Sequence, residues 1–161
     1  TGAKRWSFSN HGSWVISTPI VQGGSLYFAT SDSGLLHALD AKTGAALYSL
    51  DFKHWPMFSS PAIAGGTLYI GSHAGTLIAV DLGTHQVAWS YRSDGAMRNA
   101  SALTAKNGEP NYAAAFSDTF YDDLVIGMWK MMSVGAVLSS PAVDADVVYF
   151  GSADGNLYAL D

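Results

Sequence analysis

Eight loop side chains carry most of the chemistry open to this sequence: His11, Trp14, Asp32, His54, Trp55, His73, Arg98 and Asp154. Imidazoles and carboxylates hold cations or move protons, and Trp and Arg anchor partners at interfaces. The familiar catalytic arrangements are missing. No Gly-x-Ser-x-Gly elbow occurs, and Gly71-Ser72-His73 occupies a turn that recurs elsewhere with other residues, so Ser-His-Asp catalysis is not expected. The five His residues (11, 37, 54, 73 and 85) show no helical or hairpin ligand spacing. His37 aligns with Ile78 and Tyr158 and reads as a packed strand residue. There is no Cys, which excludes disulfides and thiolate metal sites. Calcium takes roughly six to eight oxygen ligands. Asp122-Asp123 reads more simply as a solvated helix face, and Asp144/Asp146 as a hairpin turn. Asn99-Ala100-Ser101 fits a glycosylation acceptor by pattern alone. No metal and no cofactor is therefore expected.

The elements that must position those side chains come from a repeat. Ser17-Thr18-Pro19-Ile20-Val21, Ser59-Ser60-Pro61-Ala62-Ile63 and Ser139-Ser140-Pro141-Ala142-Val143 are near copies, each followed by a similar run ending in Ala-Leu-Asp or Ala-Val-Asp. Pro19 and Pro61 stand 42 residues apart. A period of that length filled with short strands points to a propeller or array. Each unit reads as four antiparallel strands. Pro opens the inner strand, where no ladder donor is needed. Gly23-Gly24 and Gly65-Gly66 turn the chain with the positive φ that tight hairpins require. Both faces of the third strand, Leu35 to Leu39, are largely apolar, so the sheet is expected to be covered on both sides, as in stacked blades.

One spacing carries a family resemblance. Ala38, Asp40, Gly44 and Tyr48 stand at positions 1, 3, 7 and 11 of a window; Ala79, Asp81 and Trp89 repeat it, with His85 in the Gly slot. This resembles the tryptophan-docking motif of quinoprotein-type (PQQ-like) propeller repeats, over residues 1–96 and 137–161. The resemblance implies an aromatic ring packed on the neighbouring blade, so Trp6 and Trp89 are expected to be buried between blades, beside small Ala38 and Ala79. It also implies a parent protein working in the periplasm or secreted. Quinoprotein dehydrogenases hold a quinone and calcium in the central channel, many with adjacent cysteines; this chain lacks cysteine.

The fold class expected is therefore all-β, a partial β-propeller of four-stranded antiparallel blades. The organisation expected is a last strand and interblade loop (1–14), a blade (15–57), a second blade (58–98), an irregular stretch (99–136) and a third blade (137–161) completed by an N-terminal-type strand. Residues 1–8 would supply that strand beside 155–161, in the same or a neighbouring copy. In the irregular stretch, 118–133 reads as a helical insertion with Tyr121, Leu124, Val125, Met128 and Met132 on one face and Ser117 or Asp118 as cap. A degenerate blade is the rival reading there.

Low charge (13%) and 48% apolar content suit many buried strands. Net charge −5 argues against nucleic acid or an anionic membrane as partner. No apolar run is long enough for direct membrane insertion. In a four-stranded blade the interblade loops and the loops between strands two and three share one face. That face gathers the eight residues named at the outset as a candidate binding surface for a protein or small molecule. The function expected is a non-catalytic binding or scaffold module, a fragment of a larger extracytoplasmic protein that pairs with the rest of its parent or self-associates. The alternatives are the non-catalytic portion of a quinoprotein dehydrogenase, or an accessory propeller of a hydrolase.

Overall fold

The computed structural model describes residues 1–111 and 120–161; side chains at 120–124 and 131 are outside the description. Two four-stranded antiparallel sheets come first. Strands β1 (Ile20–Gln22), β2 (Ser25–Ala29), β3 (Leu35–Asp40) and β4 (Ala46–Asp51) run side by side in chain order. So do β5 (Ala62–Ala64), β6 (Thr67–Ser72), β7 (Thr76–Asp81) and β8 (Gln86–Arg92). A third sheet has β9 (Ala142–Asp144), β10 (Val147–Gly151) and β11 (Leu157–Leu160). The inner strand β5 lies against β1 on one side and β9 on the other, so the sheets fan out as successive propeller blades.

The turn chemistry explains the repeat. Asp40 Oδ1 accepts from the Lys42 and Thr43 backbone N–H groups and the Thr43 hydroxyl, folding the turn between β3 and β4. Asp81 does the same with Gly83 and Thr84 before β8. The Thr43 hydroxyl holds the Asp40 carboxyl below its ordinary range, and the Thr84 N–H does so for Asp81. The blades are joined by backbone bonds: Met57 N–H donates to Thr30 O (3.2 Å) and Val137 N–H to Ser72 O (3.0 Å). Ser59 Oγ donates to Ser139 O at 2.8 Å. The Ser of each Ser-x-Pro run thus bonds backbone rather than doing chemistry; Ser17 and Ser139 each bridge both backbone groups of one β2 or β10 residue.

Strand alternation sends side chains to both faces of the second sheet. Leu68, Ile70, Ile78 and Val80 meet Tyr27, Ala29, Leu36, Ala38 and Met57 of the first unit. From the other face, Leu77 packs with Val137, Val148 and Phe150, bordered by Trp89, Tyr91 and Tyr158. Ala38 and Ala79 are fully buried.

At two joints an aromatic ring lies on the turn of the unit that follows. Trp6 stacks over Gly44, and its Nε1–H donates to Ala41 O at 3.2 Å. A Cβ on Gly44 would stand 2.6 Å from the indole, and Gly44 has φ +75°, so glycine is required twice over. At the next joint Tyr48 stacks on His85 with ring centroids 4.0 Å apart. Trp6 and Trp89 are half-buried rather than fully enclosed.

Residues 1–10 form no strand; Trp6 and Phe8 hold this segment to the first sheet by side-chain packing. Among the described residues β11 pairs with β10 alone, so the expected pairing of 1–8 with 155–161 is not made within one copy. The Trp6 and Phe8 contacts place the segment on the first sheet, away from the third.

Between β8 and β9 stand helix α1 (Asp94–Asn99), which begins inside the expected second blade, a 3-10 turn (Ala100–Ala102) and helix α2 (Phe120–Ser133). Ser93 caps α1, its Oγ accepting from Ala96 N–H. The expected helical insertion is present from Phe120 onward; the expected caps Ser117 and Asp118 lie outside the described residues. Among the described residues of the expected apolar face, three are open to solvent. Val125, Met128 and Met132 are 64%, 52% and 52% exposed. Close contact runs instead through buried Gly127 and the helix end, where Asn99 Nδ2 donates to Ser133 O. Trp55, Leu103 and Val134 form a small core beneath this insertion.

Candidate functional site

Each interblade loop meets the turn between the second and third strands of the sheet it enters. Ser31 N–H donates to Trp14 O, His73 N–H to Pro56 O and Ala153 N–H to Ala136 O. These bonds bring loop and turn together at each sheet, and the candidate residues fall into three separate groups.

His11, Trp14 and Asp32 form the first group. Asp32 Oδ1 accepts from the Ser13 hydroxyl and from Trp14 N–H. The Ser13 hydroxyl holds the Asp32 carboxyl below its ordinary range. The Trp14 ring is 72% exposed. Beside them opens a crevice of about 550 Å³ lined by His11, Ser13, Asp32, His37 and Ser49.

His54, Trp55 and His73 form the second. Trp55 is buried and donates Nε1–H to Gly108 O at 2.8 Å; exposed His54 stands 3.8 Å from Glu109. Gly34 lets this loop approach: a Cβ there would meet the His54 backbone at 2.7 Å. The crevice here, about 500 Å³, lies between the two four-stranded sheets under the 100–108 stretch. Trp55, Lys53, Val87 and Arg92 line it. His73 does not reach it. Its ring is 6% exposed, set edge-on to Phe58, and neither ring nitrogen has a partner. Burial lowers its pKa from 6.5 to about 4, so the ring is neutral at pH 7.

Arg98 and Asp154 form the third group, beside a 290 Å³ crevice shared with Asn99, Trp129 and Met132. Asp154 accepts from Tyr158 Oη (2.7 Å) and Gly95 N–H (2.9 Å). Burial pushes its pKa up, but these donors outweigh it and hold the carboxyl below its ordinary range.

The strand residue His37 is engaged in a way the sequence did not reveal. Its Nδ1 lies 2.8 Å from Ser49 Oγ and its Nε2 3.1 Å from Asn10 Oδ1. Ser49 is the direct cross-strand partner of His37, which the hairpin register would have revealed; Asn10 comes from a distant loop.

Among the described residues no three His, Asp or Glu side chains converge as a metal site. Asp144 closes β9 at its hairpin and meets no second carboxylate cluster.

Known proteins identify the fold. The family profile described as outer membrane protein assembly factor BamB matches residues 1–161. The chain belongs to the PQQ_2 family. A PQQ_2 assignment agrees with the relatives found. Quinohemoprotein alcohol dehydrogenase ADH IIB of Pseudomonas putida is 30% identical over 146 residues, covering 83% of this chain and 20% of that protein. BamB from Moraxella catarrhalis superposes with TM-score 0.64 at 20% identity, over all of this chain and 37% of that one. A europium-containing methanol dehydrogenase gives TM-score 0.54 at 20% identity, over 84% of this chain and 25% of that one. The chain thus spans a fifth of the curated relative's length and little more than a third of that BamB chain. Among the described residues no helix is long and apolar enough to cross a membrane.

Proposed function

We propose that this segment is a non-catalytic binding or scaffold module of an extracytoplasmic PQQ_2 protein, working as an outer-membrane protein assembly factor. Its contact surface is the face carrying His11, Trp14, Asp32, His54, Trp55, Arg98, Asp154 and the helical insertion; His73 supports it from beneath. The observation that carries this reading is α2. It stands on that face with Trp129 73% and Val125 64% exposed, beside Met128 and Met132. Large apolar side chains clustered in the open are a feature of protein contact sites, and Trp is the residue most often dominant in them. The partner is a protein, and the compartment is the periplasm.

The second reading, a non-catalytic part of a quinoprotein dehydrogenase, is favoured by the identity to the Pseudomonas putida enzyme. Calorimetric titration with PQQ and calcium separates the chemistry from the scaffold. The scaffold reading expects no saturable heat. Saturable binding at micromolar concentration would overturn it.

A further inference from the structure

The first crevice holds an arrangement that a scaffold does not need. Asn10 Nδ2 donates to Ser13 O at 2.9 Å, which fixes the amide so that Oδ1 faces His37. An amide oxygen only accepts. His37 Nε2 must therefore carry the proton and donate. In the neutral ring that leaves Nδ1 as a lone pair, so it accepts from the Ser49 hydroxyl, 2.8 Å away. The ring cannot swing, because it stacks on Phe28 (centroids 5.1 Å apart) and meets Phe8 (5.4 Å). His37 is 7% exposed, and burial lowers its pKa, keeping it neutral. Ser49, by contrast, is exposed and opens onto the 550 Å³ crevice. Nucleophile, base and orienting group in mutual hydrogen-bond reach are the structural signature of an activated serine.

We propose that Ser49 is a nucleophilic serine, activated by His37 and Asn10, that accepts acyl groups from activated esters. Ser49 Oγ attacks the ester carbonyl carbon as its proton passes to His37 Nδ1. The Oγ–C bond forms and the bond to the alcohol oxygen breaks. The leaving alcohol takes that electron pair, then the proton from Nδ1. The products are O-acyl Ser49 and free alcohol, with no change of oxidation state. Nucleophile, base and orienter are what the geometry supplies, so the outcome is a stoichiometric acyl-serine rather than rapid turnover. The acyl group is uncharged or cationic. Phe8 and Leu35 give the crevice apolar wall, and the ionised Asp32 carboxylate repels an anion. His11 and Asp32 are the other titratable groups lining the crevice.

The test is incubation of the 161-residue chain with p-nitrophenyl acetate, followed by peptide mapping and a rate for each acetylated site. Ser49 acquires one acetyl group, and Ser49→Ala removes that site alone. His37→Gln slows labelling about 100-fold or more, the usual worth of a general base. Asn10→Leu slows it while leaving thermal melting close to the parent, which decides the matter if His37→Gln fails to fold. The Ser49 rate falls on acidification with a midpoint below 6.5, because only neutral His37 is competent. Acetyl groups confined to lysines and the N-terminus would overturn the proposal. So would Ser49 labelling indifferent to Asn10→Leu.

Discussion

His73 makes the stability of this chain depend on pH in a calculable way. Its buried ring has no hydrogen-bond partner, and its pKa falls from 6.5 in the unfolded chain to about 4 in the folded one. The shift is downward for a base, so the stabilising contribution is complete above pH 6.5 and is lost as pH falls toward 4. Below 6.5 the unfolded state binds a proton that the folded state refuses. Each pH unit in that window costs about 1.4 kcal/mol, so at pH 4.5 the loss from this group reaches about 2.5 kcal/mol. The carboxylates of Asp32, Asp40, Asp81 and Asp154 have pKa values below 3.8 and act at lower pH. His37 contributes in the same direction as His73 and is unchanged by a substitution at 73. Urea unfolding of the parent and of His73→Leu at pH 7 and pH 4.5 isolates the effect. At pH 7 the Leu variant is at least as stable, since it removes two unpaired buried nitrogens. At pH 4.5 its advantage widens by about 2.5 kcal/mol. Parallel pH dependence in the two proteins would refute the reasoning and mean that the ring is hydrated or partnered.

Other outcomes follow from particular contacts. Gly44→Ala should cost more than about 1 kcal/mol and red-shift Trp6 fluorescence, whereas Gly65→Ala, also positive in φ but with nothing within 4 Å, should cost less and leave Trp6 unchanged. Trp55→Phe should lose about 1 kcal/mol and raise hydrogen exchange across residues 103–111, because the bond to Gly108 O ties that stretch down. Tyr48→Phe should leave stability at pH 7 nearly unchanged, since the buried Tyr48 hydroxyl has the Tyr27 side chain beside it but makes no hydrogen bond of good geometry. Burial raises the Tyr48 pKa from 10 to about 12, so the parent loses stability as pH climbs through that window and Tyr48→Phe should not; alkaline urea titrations check the sign.

The repeat was legible because its residues act locally. Asp40 and Asp81 fold their own turns, Gly44 admits a ring, and Ser17 and Ser139 bond the backbone of their own sheets. Such signals survive in a bare sequence. The meeting of each interblade loop with the turn between strands two and three also followed from topology. The helix was legible as a period, but not its orientation: burying Gly127 and exposing Met128 and Met132 depends on what the insertion stands against. Residues 1–8 have strand composition, and composition does not say which sheet edge is within reach. The Ser49–His37–Asn10 relay was hidden for a related reason. His37 and Ser49 meet across one hairpin, but Asn10 arrives from 27 residues away, held by the packing of Phe8 on Phe28.

The central claim is that the loop face with its insertion is a protein contact surface. Site-specific photo-crosslinking in cells that make the parent protein tests it most directly. Photoreactive residues at Trp129 and Trp14 probe that face; Leu47 and Val21, 52% and 58% exposed beside the turns at the other end of the strands, serve as references. The account predicts a discrete crosslinked product from Trp129 and Trp14, containing a component of the outer-membrane assembly machinery, and none from Leu47 or Val21. Equal crosslinking from both ends, or products from Leu47 and Val21 alone, would contradict it.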